Sequence, residues 1–244
     1  MKYYWINIDN YLDRNENMRE QFSKYNLENY RIKAFTPDDM ESIKIKKHSK
    51  ANSPDNVYCC ILSHLKAIKQ GYEDGDEYFY VCEDDINLIN LCDKKINNLI
   101  KNYMNINNCN IDLLQISNSS NIYVLKYYND YIKTNELIVK KIYDIPSTEF
   151  YLISREGAKK ILDTYIVNYD NLEFDLSLYE WCAADNLVYK ILNTYILCYP
   201  IITSDIKFGS TIHPEHLRAH EDTNKLIKHI HMIDNKLDLF VKDS

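Results

Sequence analysis

Short apolar segments typical of strands alternate with longer segments of helical spacing, and this alternation limits the fold of the chain more than any other feature. Stretches rich in aromatic and β-branched residues lie at 3–8, 30–35, 78–82, 111–117, 148–154 and 194–202. Amphipathic stretches cover 13–27, 56–72, 93–104, 155–165 and 182–193. Strands that alternate with helices in this way predict an α/β sheet with helices on both faces.

The sequence contains no internal repeat, low-complexity tract or linker that would divide it into two folding units. We therefore expect a single domain over residues 1–220, followed by a charged and partly helical tail over 221–244. Two segments interrupt the alternation. Residues 36–56 are charged and contain proline, which predicts a long loop, and residues 121–143 are rich in tyrosine, which predicts a hairpin of two short strands.

The composition indicates which partners the protein can bind and in which compartment it acts. The 244 residues carry a net charge of -7, whereas nucleic-acid binding needs clustered Lys and Arg, so nucleic acid is not an expected partner. The seven cysteines show no close metal-type repeat and predict reduced, buried thiols. No apolar run is long enough to span a bilayer, and the first residues lack the apolar core of a signal peptide. We expect a cytoplasmic protein that can act on a membrane from that side.

Three consecutive acids, Glu83, Asp84 and Asp85, follow the strand at 78–82 with no basic residue beside them. Ligands of α/β sheets bind outside the carboxyl ends of the strands, which is where these acids lie. Adjacent carboxylates repel one another and lose hydration when partly buried, and a divalent cation relieves both effects. Oxygen ligands suit Mg²⁺ or Mn²⁺, and two acids with one residue between them can face the same ion. The alternative is a solvated turn or the cap of the next helix.

Four segments in this order resemble the motifs of glycosyltransferase family 25. They are "WINIDNYLDR" near the start, "CCILSHLKAI" on a predicted helix, the strand that ends in Glu83-Asp84-Asp85, and "TEFYLISREGAKKIL" further along. Each motif is weak by itself, but their order and spacing together are specific. The resemblance runs from Tyr3 to about His213, which is most of the chain.

This resemblance implies a GT-A type fold, a Rossmann-like mixed sheet that carries a nucleotide-sugar site. It also implies a metal-dependent transfer, with inversion, of a hexose from a UDP-sugar donor, with galactose or glucose as the usual sugar. The acceptor would be a hydroxyl of a glycan, glycolipid or protein. Mn²⁺ or Mg²⁺ would neutralise the diphosphate leaving group.

In that fold Asp85, the last acid of the acid-x-acid motif, would bind the metal directly. Glu83 would hold the ribose of the donor or a water on the metal. Asp84 would bind the donor or point away into a structural hydrogen bond. His213 would be a third metal ligand, because histidines near the C-terminus take this role in several enzymes of the fold. The alternative for His213 is the ordinary start of a helix, which Pro214 favours.

Asn7 and Arg14 match the nucleotide-binding opening of the family. Arg14 would offer a guanidinium to the base, ribose or phosphate of the donor, and its alternative role is a surface ion pair with Asp13 or Glu16. Many relatives carry Arg where Asn10 stands here, so this loop lacks a second positively charged side chain beside Arg14.

Ser63 and His64 match the Leu-Ser-His motif of the family. His64 would bond a phosphate oxygen of the donor or orient an acid of the metal site. The alternative is a helical histidine that is satisfied by its structural neighbours.

Inverting transfer needs a base that takes the proton of the acceptor hydroxyl. Asp185 matches the acid at the start of a later helix in the family, and Asp175 is the competing candidate. Asp185 could instead serve only to cap its helix together with Asn186.

Two other functions compete with sugar transfer. A phosphoesterase could use the same acids, but it would usually need a second cluster of His and Asp ligands, which the sequence does not offer with clear spacing. A catalytically inactive relative that binds a nucleotide or a glycan is the other alternative. The donor sugar and the acceptor cannot be derived from the residues.

Overall fold

A mixed sheet lies at the centre of the computed structural model, which describes residues 1–88, 91, 93–142, 146–180, 183–209, 217–234 and 237. Within these residues the strands are β1 (Tyr3–Asn7), β2 (Asn29–Lys33), β3 (Lys44–Lys47), β4 (Tyr78–Glu83), β5 (Ile86–Asn87), β6 (Leu113–Gln115), β7 (Ile138–Lys140), β8 (Phe150–Ser154), β9 (Ile166–Asn168), β10 (Glu173–Leu176), β11 (Thr194–Leu197) and β12 (Thr203–Ser204). The helices are α1 (Leu12–Lys24), α2 (Asp55–Glu73), α3 (Asp93–Asn107), α4 (Asn121–Thr134), α5 (Arg155–Tyr165), α6 (Ala184–Lys190) and α7 (Leu217–Ile233).

The central sheet has the strand order β2-β1-β4-β8-β6-β11-β7. Strand β1 is parallel to β2 and β4, and β11 is parallel to β6. Strand β8 is antiparallel to both of its neighbours, β4 and β6, and β7 is antiparallel to β11. The start of β8 therefore lies beside the end of β4, where the chain leaves the sheet with its three acids.

Helices cover both faces of this sheet. Alternate residues of a strand point to opposite faces, so Tyr80 and Cys82 of β4 face a core completed by α1, α3, α4 and α7. Phe79 and Val81 face a second core completed by α2, α5 and α6. The α/β class, the mixed sheet and the two helical layers predicted from the sequence are confirmed, and this arrangement is consistent with a GT-A type fold.

Three buried rings stack across the middle of the sheet and hold β1, β4 and β8 in register. The ring centroids of Tyr3 and Tyr80 lie 4.5 Å apart, and those of Tyr80 and Phe150 lie 5.2 Å apart. Stacked aromatic pairs contribute about 0.5–1.5 kcal/mol each beyond the area they bury. Because this stack of rings aligns the three strands, it also determines which residues at the strand ends lie side by side.

The hairpin predicted over 121–143 is wrong, because most of this segment is α4. The buried side chains of α4 are Val124, Tyr127, Tyr128 and Tyr131, whose spacing of three, one and three residues puts them on one helical face. Single tyrosines favour strands, which is why the segment resembles a hairpin, but the spacing of its buried residues is helical. Strand β7 follows α4 and pairs with β11 at the edge of the sheet.

The segment 36–56, predicted as a loop, contains two short regular elements. A 3-10 helix spans Pro37–Ser42, and β3 pairs with β10 in a small sheet of order β3-β10-β9. The predicted helix after Ser154 is confirmed, and the Ser154 hydroxyl accepts a hydrogen bond from the Gly157 N–H as its N-cap.

The predicted division at residue 220 falls inside α7. This helix packs against α4 and places Ile227 and Ile230 in the core that Tyr80 and Cys82 of β4 also face. In the part of the chain that the structure describes, no helix combines the length and the apolar character needed to cross a membrane.

Candidate active site

The three acids after β4 line a cavity of about 300 Å³. Its walls come from the end of β1, the segment after β2, one face of α2 and the acids themselves. The lining includes all the residues proposed for donor or metal binding that the structure describes: Asn7, Arg14, Ser63, His64, Glu83, Asp84 and Asp85. The structure thus brings these residues together, and their individual roles stay predictions.

Asp84 is the buried anchor of the group. Its carboxylate accepts a hydrogen bond of 2.6 Å from the Asn7 amide and one of 2.7 Å from the Arg14 guanidinium. Burial raises the pKa of Asp84, while the charge of Arg14 acts in the opposite direction. These bonds join the end of β1, the start of α1 and the turn after β4, in agreement with the structural hydrogen bond expected as one of its two roles.

Arg14 is 6% exposed, and its guanidinium is enclosed by acceptors. Besides Asp84, it lies 3.2 Å from the Asp85 carboxylate and donates to the backbone carbonyls of Phe208 and Gly209. Its ion pairs are therefore with Asp84 and Asp85 of the site, rather than with Asp13 or Glu16 at the surface. Direct contact of Arg14 with a donor stays a prediction.

Asp85 differs from Asp84 in having an oxygen that no described residue satisfies. Its Oδ1 is buried and has no hydrogen-bond partner among the described residues. Burial, followed by the charge of Glu83, raises the pKa of Asp85 to about 7. A carboxylate oxygen that is buried, unpaired and close to other acids is the kind of group that a bound cation satisfies.

Glu83 ends β4 and has several neighbours that can donate a hydrogen bond. Its Oε1 accepts from the Thr148 hydroxyl at 3.2 Å and lies 3.4 Å from Nε2 of His64. Burial opposes ionisation, but the interactions with His64 and Thr148 lower the pKa of Glu83. Glu83 is therefore the acid of the triplet that is held ionised by its surroundings.

Ser63 and His64 lie on neighbouring positions of α2 but have different tasks. The Ser63 hydroxyl donates to the carbonyl of Cys59 and accepts from the N–H of Phe35, which ties the segment after β2 to the helix. His64 is buried, with Nδ1 3.1 Å from the Tyr151 hydroxyl and Nε2 facing Glu83. The Leu-Ser-His motif thus supports both the wall of the cavity and one of its acids.

Glu149 is a further acid of this region that the sequence did not indicate. It directly precedes β8, its backbone carbonyl accepts from the Glu83 N–H, and its buried carboxylate accepts from the Ser204 hydroxyl at 3.0 Å. Burial, then the charges of Asp85 and Glu83, raise the pKa of Glu149 well above its usual value. Only the antiparallel direction of β8 brings Glu149 to the acids, and the sequence does not reveal strand direction.

The two candidate bases have different surroundings. Asp185, in the first turn of α6, has its pKa raised to about 6 by burial, with Lys141 opposing and Glu83 reinforcing the shift. Asp175 lies in the small sheet, where an ion pair of 2.7 Å with Lys46 and a bond from Ser177 lower its pKa to about 2. The electrostatic link to Glu83 favours Asp185, although neither aspartate lines the cavity.

His213, the predicted third metal ligand, lies outside the described residues. The described part of the site contains the carboxylates of Glu83, Asp84, Asp85 and Glu149, with Arg14 in direct contact with two of them. The clustering of these carboxyl oxygens, together with the buried Oδ1 of Asp85 that has no partner among the described residues, suits a divalent cation with oxygen ligands.

A comparison with known protein families assigns the chain to one that transfers sugars. The family model described as "Glycosyltransferase family 25 (LPS biosynthesis protein)" matches residues 1–178. A solved structure titled "Crystal structure of a glycosyltransferase involved in the glycosylation of the major capsid of PBCV-1" shares 11% identity with a TM-score of 0.38, over 95% of this chain and 98% of that chain. At this level the structural similarity adds nothing to the assignment. No curated protein matches the chain.

The family match spans the end of β1, the Ser63-His64 pair, the acids after β4 and the strand β8, which together build the cavity. It also covers more than half of the chain. The chain belongs to glycosyltransferase family 25.

Proposed function

We propose that this protein is a metal-dependent, inverting glycosyltransferase that moves a hexose, galactose or glucose, from a UDP-sugar to a hydroxyl of a glycan, glycolipid or protein. The observation that carries this proposal is the buried Oδ1 of Asp85, which has no hydrogen-bond partner in the described part of the chain. It lies beside Glu83, at the carboxyl end of a central strand and in the wall of a cavity. Nucleotide ligands of α/β sheets occupy this location.

In this proposal Asp85 and Glu83 hold Mn²⁺ or Mg²⁺, with His213 as a further ligand. The ion supplies positive charge that stabilises the diphosphate leaving group. Arg14 and Asn7 keep Asp84 fixed, so the neighbouring Asp85 is presented to the ion in one orientation. Ser63 shapes the cavity wall by holding the backbone at Phe35.

Asp185 is the proposed base. A carboxylate with a pKa of about 6 is mostly ionised near neutral pH, yet it is a stronger proton acceptor than an ordinary aspartate. Asp175 is less suited, because its low pKa and its ion pair with Lys46 both disfavour protonation.

Calorimetric titration of UDP, with and without Mn²⁺, tests the donor site in wild type and in Asp85→Asn. We expect Mn²⁺ to tighten UDP binding at least tenfold in wild type, and the substitution to remove that gain. Asp175→Asn serves as the matched control, because its carboxylate belongs to the small sheet, and it should retain the gain. UDP binding that is equal with and without Mn²⁺ in wild type would overturn the metal assignment.

Turnover separates a transferase from an inactive binding protein. With a UDP-hexose that binds, UDP release in the presence of acceptor extracts is expected for wild type and should fall by at least about 10²-fold in Asp185→Asn, the range that a general base contributes. Metal-dependent UDP binding with no turnover of any UDP-hexose would favour a nucleotide-binding relative that has lost catalysis.

A further inference from the structure

A cysteine, a histidine and a glutamate come together in the wall of the cavity, and they differ in chemistry from the acid triplet. The Cys60 thiol, the His64 imidazole and the Glu83 carboxylate each place one ligand atom within 4.8 Å of the other two. Cys60 and His64 are four residues apart on α2, so both side chains leave the same face of the helix. Glu83 approaches them from the end of β4.

The separation of the nitrogen and the oxygen already matches that of two ligands on one metal. Nε2 of His64 lies 3.4 Å from Oε1 of Glu83. Two ligands bound to zinc at about 2.0–2.1 Å with a tetrahedral angle between them are also roughly 3.4 Å apart. The Cys60 sulfur lies within 4.8 Å of both atoms and is the third candidate ligand.

His64 also has the outer partner that metal-binding histidines usually require. Its other ring nitrogen, Nδ1, lies 3.1 Å from the hydroxyl of Tyr151, which is fully buried. A hydrogen bond from Nδ1 to this hydroxyl fixes the ring and leaves the Nε2 lone pair facing Glu83 and Cys60. Without a metal, the reverse bond, from Tyr151 to Nδ1, allows Nε2–H to donate to Glu83.

The ligand types select the metal. Thiolate and imidazole favour Zn²⁺ over Mn²⁺ and Mg²⁺, which prefer oxygen ligands alone. We propose that Cys60, His64 and Glu83 form a zinc site with three protein ligands and a fourth position open to the cavity. Binding replaces the thiol proton by the metal, and that proton passes to solvent.

Zinc binding at this site does not depend on the proposed sugar transfer, but the two are connected through Glu83. In the proposed function Glu83 also serves the donor metal, so zinc and the UDP–Mn²⁺ complex would exclude one another. Zinc would then inhibit the transferase by occupying the donor site.

Cobalt(II) titration of the reduced full-length protein tests the site without any activity measurement. Co²⁺ replaces Zn²⁺ in such sites and gives a near-ultraviolet charge-transfer band only when a thiolate is bound. We expect this band in wild type, its displacement by Zn²⁺, and its loss in Cys60→Ser. Cys109→Ser is the matched control, since Cys109 is also half-buried but lies outside the cavity, and it should keep the band.

His64→Gln provides a second variant should Cys60→Ser fold poorly, which circular dichroism would reveal. Competition with a chromogenic chelator should show Zn²⁺ binding weakened at least tenfold in His64→Gln. Absence of the charge-transfer band in wild type, or its persistence in Cys60→Ser, would overturn the zinc site. Either result would leave the Mn²⁺ dependence of UDP binding unaffected, so failure of this inference is distinct from failure of the proposed function.

Discussion

Asp84 and Asp85 are adjacent in sequence, but the structure gives their carboxylates opposite surroundings. Asp84 is buried and both of its oxygens are bonded, to Asn7 and Arg14. Asp85 keeps one buried oxygen without a partner among the described residues. The first residue is therefore expected to matter for stability, and the second for binding.

Replacing Asp84 by asparagine is expected to lower the free energy of unfolding by about 3 kcal/mol, because Arg14 would keep a buried charge without its closest partner. The control is Asp9→Asn, whose carboxylate is 46% exposed and pairs with Arg31 at the surface. This change should cost less than about 1 kcal/mol. Urea denaturation measures both, and equal losses in the two variants would contradict the structural role of Asp84.

The pH dependence of stability follows from acids whose pKa values burial raises. Those of Asp85 and Asp185 rise from 3.8 to about 7 and about 6, and those of Asp84 and Glu149 are shifted in the same direction. Between the unfolded pKa of 3.8 and the folded pKa of about 7, the folded protein binds more protons than the unfolded chain. Its stability therefore falls as the pH rises through this range. The lowered pKa of Glu83 acts in the opposite direction, but only below 4.5.

In metal-free protein we therefore expect the melting temperature to decrease between about pH 5 and pH 8, with a shallower decrease in Asp85→Asn. Thermal unfolding in the presence of a chelator measures this. A variant curve that is parallel to the wild-type curve over the whole range would show that Asp85 titrates normally.

At the scale of elements, a close contact between α2 and β4 places the helix that carries Ser63 and His64 on the strand that carries the acids. A Cβ atom on Gly71 of α2 would overlap the ring of Phe79 in β4. Only glycine lets the helix approach this closely, so the contact fixes the distance between the two walls of the cavity.

Gly71→Ala is expected to destabilise the protein by about 1–3 kcal/mol through overpacking. Adding Phe79→Leu to Gly71→Ala should recover part of this loss, because the smaller side chain gives room to the new methyl group. Urea denaturation of both single variants and the double variant gives the coupling energy. Additive losses would show that Gly71 and Phe79 do not constrain one another.

Most elements of the fold were predictable from periodicity, and the exceptions have identifiable causes. The buried strands β1, β4 and β8 consist mainly of aromatic and aliphatic residues, which made them recognisable from the sequence. Helix α4 was missed because its buried positions are tyrosines, which favour strands when judged one by one.

Prediction of the site succeeded where residues are close in sequence and failed where distant segments meet. The acids after β4 and the Ser63-His64 pair were recognisable as local motifs. Glu149 and Cys60 were not, because their relation to Glu83 depends on strand direction and on how α2 lies across the sheet. Local sequence patterns reveal neither the direction of a strand nor the position of a helix across the sheet.

At the scale of the whole molecule, the family match ends at residue 178, but the sheet does not. Strand β11 lies between β6 and β7, and α7 covers part of one face. A fragment of residues 1–178 would lose both. This would leave β6 with an unpaired edge, β7 without a neighbouring strand and an apolar surface uncovered.

We expect the fragment 1–178 to be aggregated or unfolded, whereas the chain of residues 1–244 should melt cooperatively. Circular dichroism and analytical ultracentrifugation distinguish these outcomes. A monomeric 1–178 fragment with a sharp melting transition would show that the matched region folds without β11.

The position of β11 also has a consequence for synthesis on the ribosome. Strand β7 leaves the exit tunnel before β11, the strand that must later enter between β7 and β6. Until β11 emerges, the nascent chain exposes unpaired strand edges. The acids after β4 have emerged by then, but the sheet that positions them is incomplete. While residues 141–197 are being made, the sheet therefore lacks the strand that joins β6 to β7, and we expect the yield of the protein to depend on chaperone supply.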